Sequence, residues 1–275
     1  MTSDAVTQLF GRAKTISDPP ALHGYEHAYQ GVRPSGRTTP SGAVVWAYNE
    51  IKARNLALRR VVDLGCGKGR NSIFFAEKGA DVTALDFAPG AIAALKISAK
   101  MRGFSSKIRA LVYDVTDSWP VPEHSVDFVS DAFCFKHIIG REARLAYKQN
   151  LVRALDMRGT YLVSFASIGD GYYGKYIVEH YGDGSALVLD PATNLQSVLF
   201  TRDHVREFFA PEFKLLTEKF AERDGRARGQ EQPRHTYAML FARNPKSQGG
   251  GYIKITPETE SYSPRFYGEF KSDER

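Results

Sequence analysis

Three glycines at alternate positions, Gly65, Gly67 and Gly69, separate the apolar run Val61-Val-Asp-Leu from the segment Arg70-Asn-Ser-Ile-Phe-Phe. Glycine at such positions lets a strand turn tightly into a helix and brings bare backbone within van der Waals distance of a ligand. A dinucleotide fingerprint of the form G-x-G-x-x-G would need its third glycine at position 70, where Arg70 stands. The segment therefore predicts a strand, a ligand-cradling turn and a helix, with a pyrophosphate on the helix N-terminus disfavoured.

The chain around this turn alternates short apolar runs with helix-period segments. Strands are predicted over 61–64, 82–85, 108–113, 126–130 and 161–165. Between them one helix starts near Asn71 and stops at Gly79, a second carries Ile92, Leu95 and Ala99 and stops at Gly103, and another aligns Tyr147, Leu151 and Leu155 before Gly159. Repeated strand–helix–strand units imply parallel strands joined by right-handed crossovers, an α/β sheet covered on both faces. Ligands on such sheets lie at the carboxyl ends of the strands.

Two acids fall at such ends. Asp86 ends the second strand, 21 residues after Gly65, where a carboxylate can accept from both hydroxyls of a ribose. Asp114, followed by Val115, ends the third, where a carboxylate and the next backbone N–H can read the edge of an adenine. Together they describe an adenosine site without a pyrophosphate clamp.

These residues resemble the class I S-adenosylmethionine-dependent methyltransferases, and Gly69-Arg-Asn-Ser is similar to their small-molecule, tellurite-resistance-like branch. The resemblance covers residues 44 to 167, and 201 to 243 by topology. It implies a doubly wound, Rossmann-like, mostly parallel seven-stranded sheet with an antiparallel last strand, and S-adenosyl-L-methionine as cofactor. It also implies that Asp63, Gly65, Cys66 and Gly67 hold the cofactor's amino acid end, that Asp86 takes the ribose and Phe87 covers the adenine. Asp114 and Val115 would read the adenine edge, and Asp131, Ala132 and Phe133 would pass beside the sulfonium. Acceptors differ widely on this scaffold.

The rest of the chain divides around that core. One domain spans 1–275: an N-terminal cover over 1–42, a cofactor-binding core over 43–167, an insertion or lid over 168–200, a closing helix and strands over 201–243, and a tail over 244–275. The first 42 residues are rich in Pro, Gly, Ser and Thr yet carry His23, Tyr25, His27, Tyr29, Arg33 and Arg37, which suits a segment that folds over something. Val44, Ala47, Tyr48 and Ile51 then share a helix face. Residues 168–200 hold five glycines and read as irregular structure; Thr201 caps a helix carrying Val205, Phe208 and Phe209. The segments 214–220 and 235–243 read as an antiparallel pair closing the sheet.

Methyl transfer from a sulfonium is a direct displacement, so the protein chiefly aligns the acceptor and excludes water, with a base only where the acceptor arrives protonated. His137 and Tyr176 are the catalytic candidates. Tyr172 and Tyr173 join Tyr25, Tyr29 and Arg37 as substrate-binding candidates, the tyrosine faces being suited to a cation and the arginine to a carboxylate. Residues 23–37 and 171–176 are expected to close as a joint lid.

Composition narrows the partners. A hydrophobic fraction of 43% with 25% charged residues is that of a globular chain, and no apolar stretch approaches the roughly 18 residues of a membrane span. The formal charge of +6 is scattered, apart from Arg223, Arg226, Arg228 and Arg234, so a nucleic-acid partner is not expected. Two cysteines, Cys66 and Cys134, make neither a disulfide framework nor a metal cluster. The opening residues lack a leader pattern, which predicts a cytoplasmic protein, with a small-molecule substrate and a homodimer open to it. Transfer of a methyl group to a small-molecule N, O or S acceptor is the leading expectation. Its alternatives are a cyclase or lyase acting on the cofactor's own amino acid chain, a non-catalytic binding protein, and a nicotinamide dehydrogenase, against which Arg70 counts.

Overall fold

The computed structural model describes residues 39–227 and 230–244, with the side chains of 223–231 excepted. The N-terminal cover, including Tyr25, Tyr29 and Arg37, lies outside these residues, as does the tail beyond Asn244.

The helix Gly42–Ala53 (α1) leads into strand Arg60–Leu64 (β1), helix Arg70–Glu77 (α2), strand Asp81–Asp86 (β2), helix Pro89–Met101 (α3) and strand Ile108–Val112 (β3). Strand Val126–Ala132 (β4), helix Arg141–Ala154 (α4) and strand Leu155–Ala166 (β5) follow. Pro89 opens α3 at a position where a helix has no use for an N–H. Helix Arg202–Phe209 (α5) is capped as its sequence indicates: Thr201 Oγ1 accepts from His204 N at 3.1 Å.

Seven strands form one sheet in the order β3-β2-β1-β4-β5-β10-β9, where β9 is Phe213–Ala227 and β10 is Gln230–Arg243. The first five strands are parallel, and β10 runs antiparallel to both β5 and β9. Successive strand residues feed opposite faces. Val61, Phe128, Leu162 and Leu240 pack with Val44, Ile73 and Leu95 of α1 to α3. Val62, Val129, Val163 and Phe241 pack with Tyr147 and Leu151 of α4 and Val205 and Phe209 of α5. The result is a sheet buried between two helical layers, as its near-continuous apolar strands require.

Two local expectations need correction. Leu155 opens β5 instead of closing α4, because its backbone is already extended (φ −68°, ψ 134°). The 168–200 segment is more regular than its glycines suggest: strands Ile177–His180 (β6), Ala186–Asp190 (β7) and Leu195–Leu199 (β8) make a separate antiparallel sheet. Alternation in Ala186-Leu-Val-Leu-Asp, whose first, third and fifth residues are buried, outweighs the flanking glycines. A parallel bridge between Ser167 and Phe200 closes the base of this insertion. Asp170, fully buried, ties it to β10 by accepting from Arg234 Nε at 2.8 Å and His235 N at 3.1 Å. No helix among the described residues is long and apolar enough to cross a membrane.

Candidate functional site

The carboxyl ends of β1, β2 and β4 converge on the glycine turn. Gly65, Gly67 and Gly69 all lie in the left-handed region, at φ +57°, +55° and +82°, where a side chain is strained. At Gly65 a Cβ would come within 2.8 Å of Cys134 Cβ, and at Gly69 within 2.0 Å of Leu95 Cδ1. The turn is thus closed from behind by packing and presents backbone in front. Cys66 N donates to Leu85 O and Gly69 N to Cys66 O, each at 3.0 Å. Burial pushes the thiols of Cys66 and Cys134 well above their ordinary range, so neither is a thiolate nucleophile.

Asp86 anchors the turn. Its Oδ2 accepts from Gly67 N at 2.8 Å and its Oδ1 from Ala88 N at 3.0 Å. These bonds fix where the two carboxylate oxygens point. Phe87 beside it is half-buried. Asp114, two residues beyond β3, is exposed, and its Oδ1 accepts from Thr116 N and Thr116 Oγ1 at 2.9 and 2.8 Å. Val115 is buried, and its carbonyl accepts from Trp119 Nε1 at 2.8 Å.

Asp63 is 1% exposed. Its Oδ2 accepts from Ser72 Oγ at 2.6 Å, whereas its Oδ1 has no hydrogen-bond partner among the described residues. Desolvation raises its pKa to about 6; the hydroxyls of Ser72 and Ser130 and the charge of Arg70 oppose the rise, and Asp86 adds to it. A buried, half-satisfied carboxylate of this kind is completed by a cation. Ser72 was not among the expected site residues, although its place nine residues after Asp63, in the first turn of α2, is where such a partner must stand.

Asp131 does not join this group. In the parallel register Asp63 pairs with Ser130, so Ser130 shares its face and Asp131 points to the other. There it is fully buried, accepting from Tyr147 Oη at 2.7 Å, Cys134 N at 2.8 Å and Phe135 N at 3.2 Å. Its carboxylate clamps the turn leaving β4. Ala132 lies on the Asp63 side, packed against the same core as Val61. Phe133 follows at φ +73°, a left-handed conformation for a bulky residue, with its N–H donating to Ser164 O at 3.1 Å. Such strain persists only where surrounding contacts enforce it, and it clusters at binding sites.

Phe133, Tyr173, Tyr176 and Ile177 each pack against the cluster of Ala166, Val188 and Leu199 at the end of β5. Tyr172 is buried, donates to Asp190 Oδ1 at 3.0 Å and meets the rings of Tyr173 and Tyr176 edge-on at 5.0 and 5.4 Å. It is a packed strut of the insertion. The face of Tyr173 already carries a cation, Lys136 Nζ at 3.5 Å from the centroid, with the Arg234 guanidinium at 5.4 Å. A cationic acceptor on that ring would meet these two like charges. Lys136 and Arg234 escaped the sequence reading because nothing local marks a lysine or arginine that tertiary packing buries. His137 is half-buried with Nδ1 3.3 Å from Gln196 O. Burial and the adjacent Lys136 push its pKa down to about 3, too low for an effective base near neutrality.

Comparison with known proteins agrees with this geometry. Residues 61–159 match the family described as "Methyltransferase domain". A 2-heptyl-1-hydroxyquinolin-4(1H)-one methyltransferase from Mycobacteroides abscessus is 32% identical over 105 residues, 38% of this chain, and the match spans only 44% of that protein's length. A structure solved in work on the conversion of a disulfide bond into a thioacetal group during echinomycin biosynthesis superposes with a TM-score of 0.60, at 22% identity over 82% of this chain and 94% of the other. The Burkholderia thailandensis 1,6-didemethyltoxoflavin-N1-methyltransferase, crystallised with its substrate and S-adenosylhomocysteine, gives 0.56 at 19% identity over 82% and 84%. The family match falls on the glycine turn and the strands that position it, so residues 61–159 are similar to a methyltransferase domain.

Proposed function

We propose that the chain transfers a methyl group from S-adenosyl-L-methionine to a small-molecule N, O or S acceptor. The observation that carries this reading is the buried, half-satisfied Asp63 beside a left-handed glycine turn anchored by Asp86. The residues fit the cofactor: Asp63 Oδ1 offers a site for an ammonium, the turn offers uncovered backbone, and Asp86 sets a carboxylate at the end of β2 beside that turn. In this reading Asp114 and Val115 take the adenine edge and Phe87 covers the ring. The cofactor supplies a methyl group already activated on a sulfonium, so the protein's own task is orientation and exclusion of water. Two of the named relatives, the quinolinone and the didemethyltoxoflavin methyltransferases, act on heteroaromatic molecules, which supports a small aromatic acceptor. Both being methyltransferases also supports methyl transfer over cyclisation of the cofactor. A single domain over 1–275 and a cytoplasmic location are parts of the same reading.

Calorimetric titration tests it. S-adenosylmethionine and S-adenosylhomocysteine are expected to bind and NAD not to, since Arg70 replaces the third fingerprint glycine. NAD binding with no response to either sulfur nucleotide refutes the proposal. Asp86→Ala is expected to weaken S-adenosylhomocysteine binding by about 1.5 to 3 kcal/mol, and because Asp86 also holds Gly67 N and Ala88 N, its melting temperature falls too. Unchanged affinity in that variant would remove Asp86 from the ribose site.

Asp63 adds a pH signature. Its raised pKa of about 6 means that the ammonium-pairing carboxylate forms as pH rises, so S-adenosylhomocysteine affinity is expected to increase between pH 5 and pH 7. Asp63→Asn should bind more weakly and with a flat profile over that range. A variant retaining the wild-type slope would assign the titration elsewhere.

A further inference from the structure

Lys136 occupies the middle of the short turn Phe135–His137 that leaves β4, and it is 1% exposed. Its Nζ lies 3.5 Å from the Tyr173 ring centroid and makes no hydrogen bond to a described residue. The acids around it have other duties. Asp170 accepts from Arg234 Nε and from the backbone N–H groups of Tyr172, Tyr173 and His235. Asp190 accepts from Tyr172 Oη and Ala192 N. Burying an ammonium without a direct carboxylate partner is costly, and a cation–π contact offsets only part of it. Groups held at such cost cluster at functional sites.

Its surroundings define what it can meet. Phe133, strained at φ +73°, Tyr173 and Tyr176 are partly buried against Ala166, Val188 and Leu199 beyond the carboxyl ends of β4 and β5, and Ala132 at the end of β4 lies on the Asp63 face. A flat molecule suits such rings. Two cations, Lys136 and Arg234, repel an acceptor that is itself positive.

We propose that Lys136 is the acceptor-side catalytic residue, taking the proton from a planar, weakly acidic O–H or N–H acceptor and holding the resulting anion. The assignment rests on the methyl-transfer reading and names its substrate class. Burial lowers the Lys136 pKa to about 7; Asp170 and Asp190 raise it and Arg234 lowers it further. The neutral amine is therefore accessible near neutrality. His137 beside it stays neutral, and burial raises the hydroxyl of Tyr173 above its ordinary range, so neither competes for the proton. In the step, Nζ accepts the acceptor's proton and the acceptor lone pair forms the bond to the methyl carbon. The S–CH₃ bond breaks with its electron pair left on sulfur, and Lys136 afterwards returns the proton to solvent.

The test uses the full-length protein, saturating S-adenosylhomocysteine and two probes, 4-nitrophenol and 4-hydroxyquinoline. Wild type should bind a probe as its anion, giving 4-nitrophenolate absorbance below the pH at which the free phenol ionises. Lys136→Met, which keeps the packing on Tyr173 and loses the charge, should bind S-adenosylhomocysteine normally but show no phenolate band. Lys136→Arg should restore the band. With S-adenosylmethionine, turnover of the tighter-binding probe should rise with pH through about 7 and plateau, and both variants should lose about 100-fold in kcat/KM together with that inflection. A phenolate band unchanged in Lys136→Met, binding of neither probe, or wild-type turnover in either variant overturns the assignment. Failure of S-adenosylhomocysteine to bind wild type would instead sink the methyl-transfer reading itself.

Discussion

Asp131→Ala should destabilise the protein by about 4 kcal/mol, lowering the melting temperature by about 10 °C. The substitution deprives three buried donors of their acceptor: Tyr147 Oη, Cys134 N and Phe135 N. It also releases the clamp that follows Phe133, so the left-handed turn loses what enforces it. Thermal unfolding checks the size of the effect. A loss below about 1 kcal/mol would mean that the three donors find other partners and that Asp131 is no anchor.

The same residue has a pH signature with a definite sign. Burial raises its folded pKa to about 7 from an ordinary value of 3.8, against the pull of the three hydrogen bonds. A raised acid contributes stability below its unfolded pKa and loses that contribution as pH climbs through the folded one. Between pH 5 and pH 8 the loss attributable to Asp131 is about 2 to 3 kcal/mol. Asp131→Asn keeps an acceptor for the two backbone N–H groups and cannot ionise, so its stability should vary less over that range than that of wild type. Equal slopes in the two proteins would refute the assignment.

Asp131 also shows how far the amino-acid sequence carries a reading of the site. The glycine turn, Asp86 and Asp114 are legible because each is a local pattern: a strand, a break, a residue at a fixed distance. The orientation of Asp131 was not legible because two adjacent acceptors at a strand end, Ser130 and Asp131, face opposite layers, and only the register Asp63↔Ser130 says which one shares the face of Asp63. Pleat parity separates Ser130 from Asp131 only when counted from Phe128 and Val129, which divide between the two cores; counted from Val126 it fails, because the register of β4 shifts between Val126 and Phe128. The positions of the five parallel strands were legible in the same local way. The β6–β8 sheet was hidden because its glycines crowd the turns while its alternation runs over five-residue strands. Lys136 and the Asp170–Arg234 pair had no signal of either kind. Their burial is decided by contacts 34 to 64 residues apart in the chain, which composition and periodicity do not carry.

Gly65→Ala should abolish measurable S-adenosylhomocysteine binding and destabilise the fold by about 2 to 4 kcal/mol. Two separate terms contribute. A Cβ at φ +57° lies in the left-handed region, which costs an alanine about 1 to 2 kcal/mol. The same Cβ stands 2.8 Å from Cys134 Cβ and 2.9 Å from its Sγ, closer than real Cβ contacts, so the turn or the β4 exit must shift. Those terms separate in a double-mutant cycle. Cys134→Ala keeps the Cβ and should rescue little, whereas Cys134→Gly removes both offending atoms and should recover the steric part while the backbone part remains. Cofactor affinity should follow the same order, because the turn that Cys134 supports from behind is the surface the ligand meets in front. Full rescue by Cys134→Ala would show that only the sulfur is crowded. No rescue by Cys134→Gly would show that the left-handed backbone alone makes Gly65 indispensable.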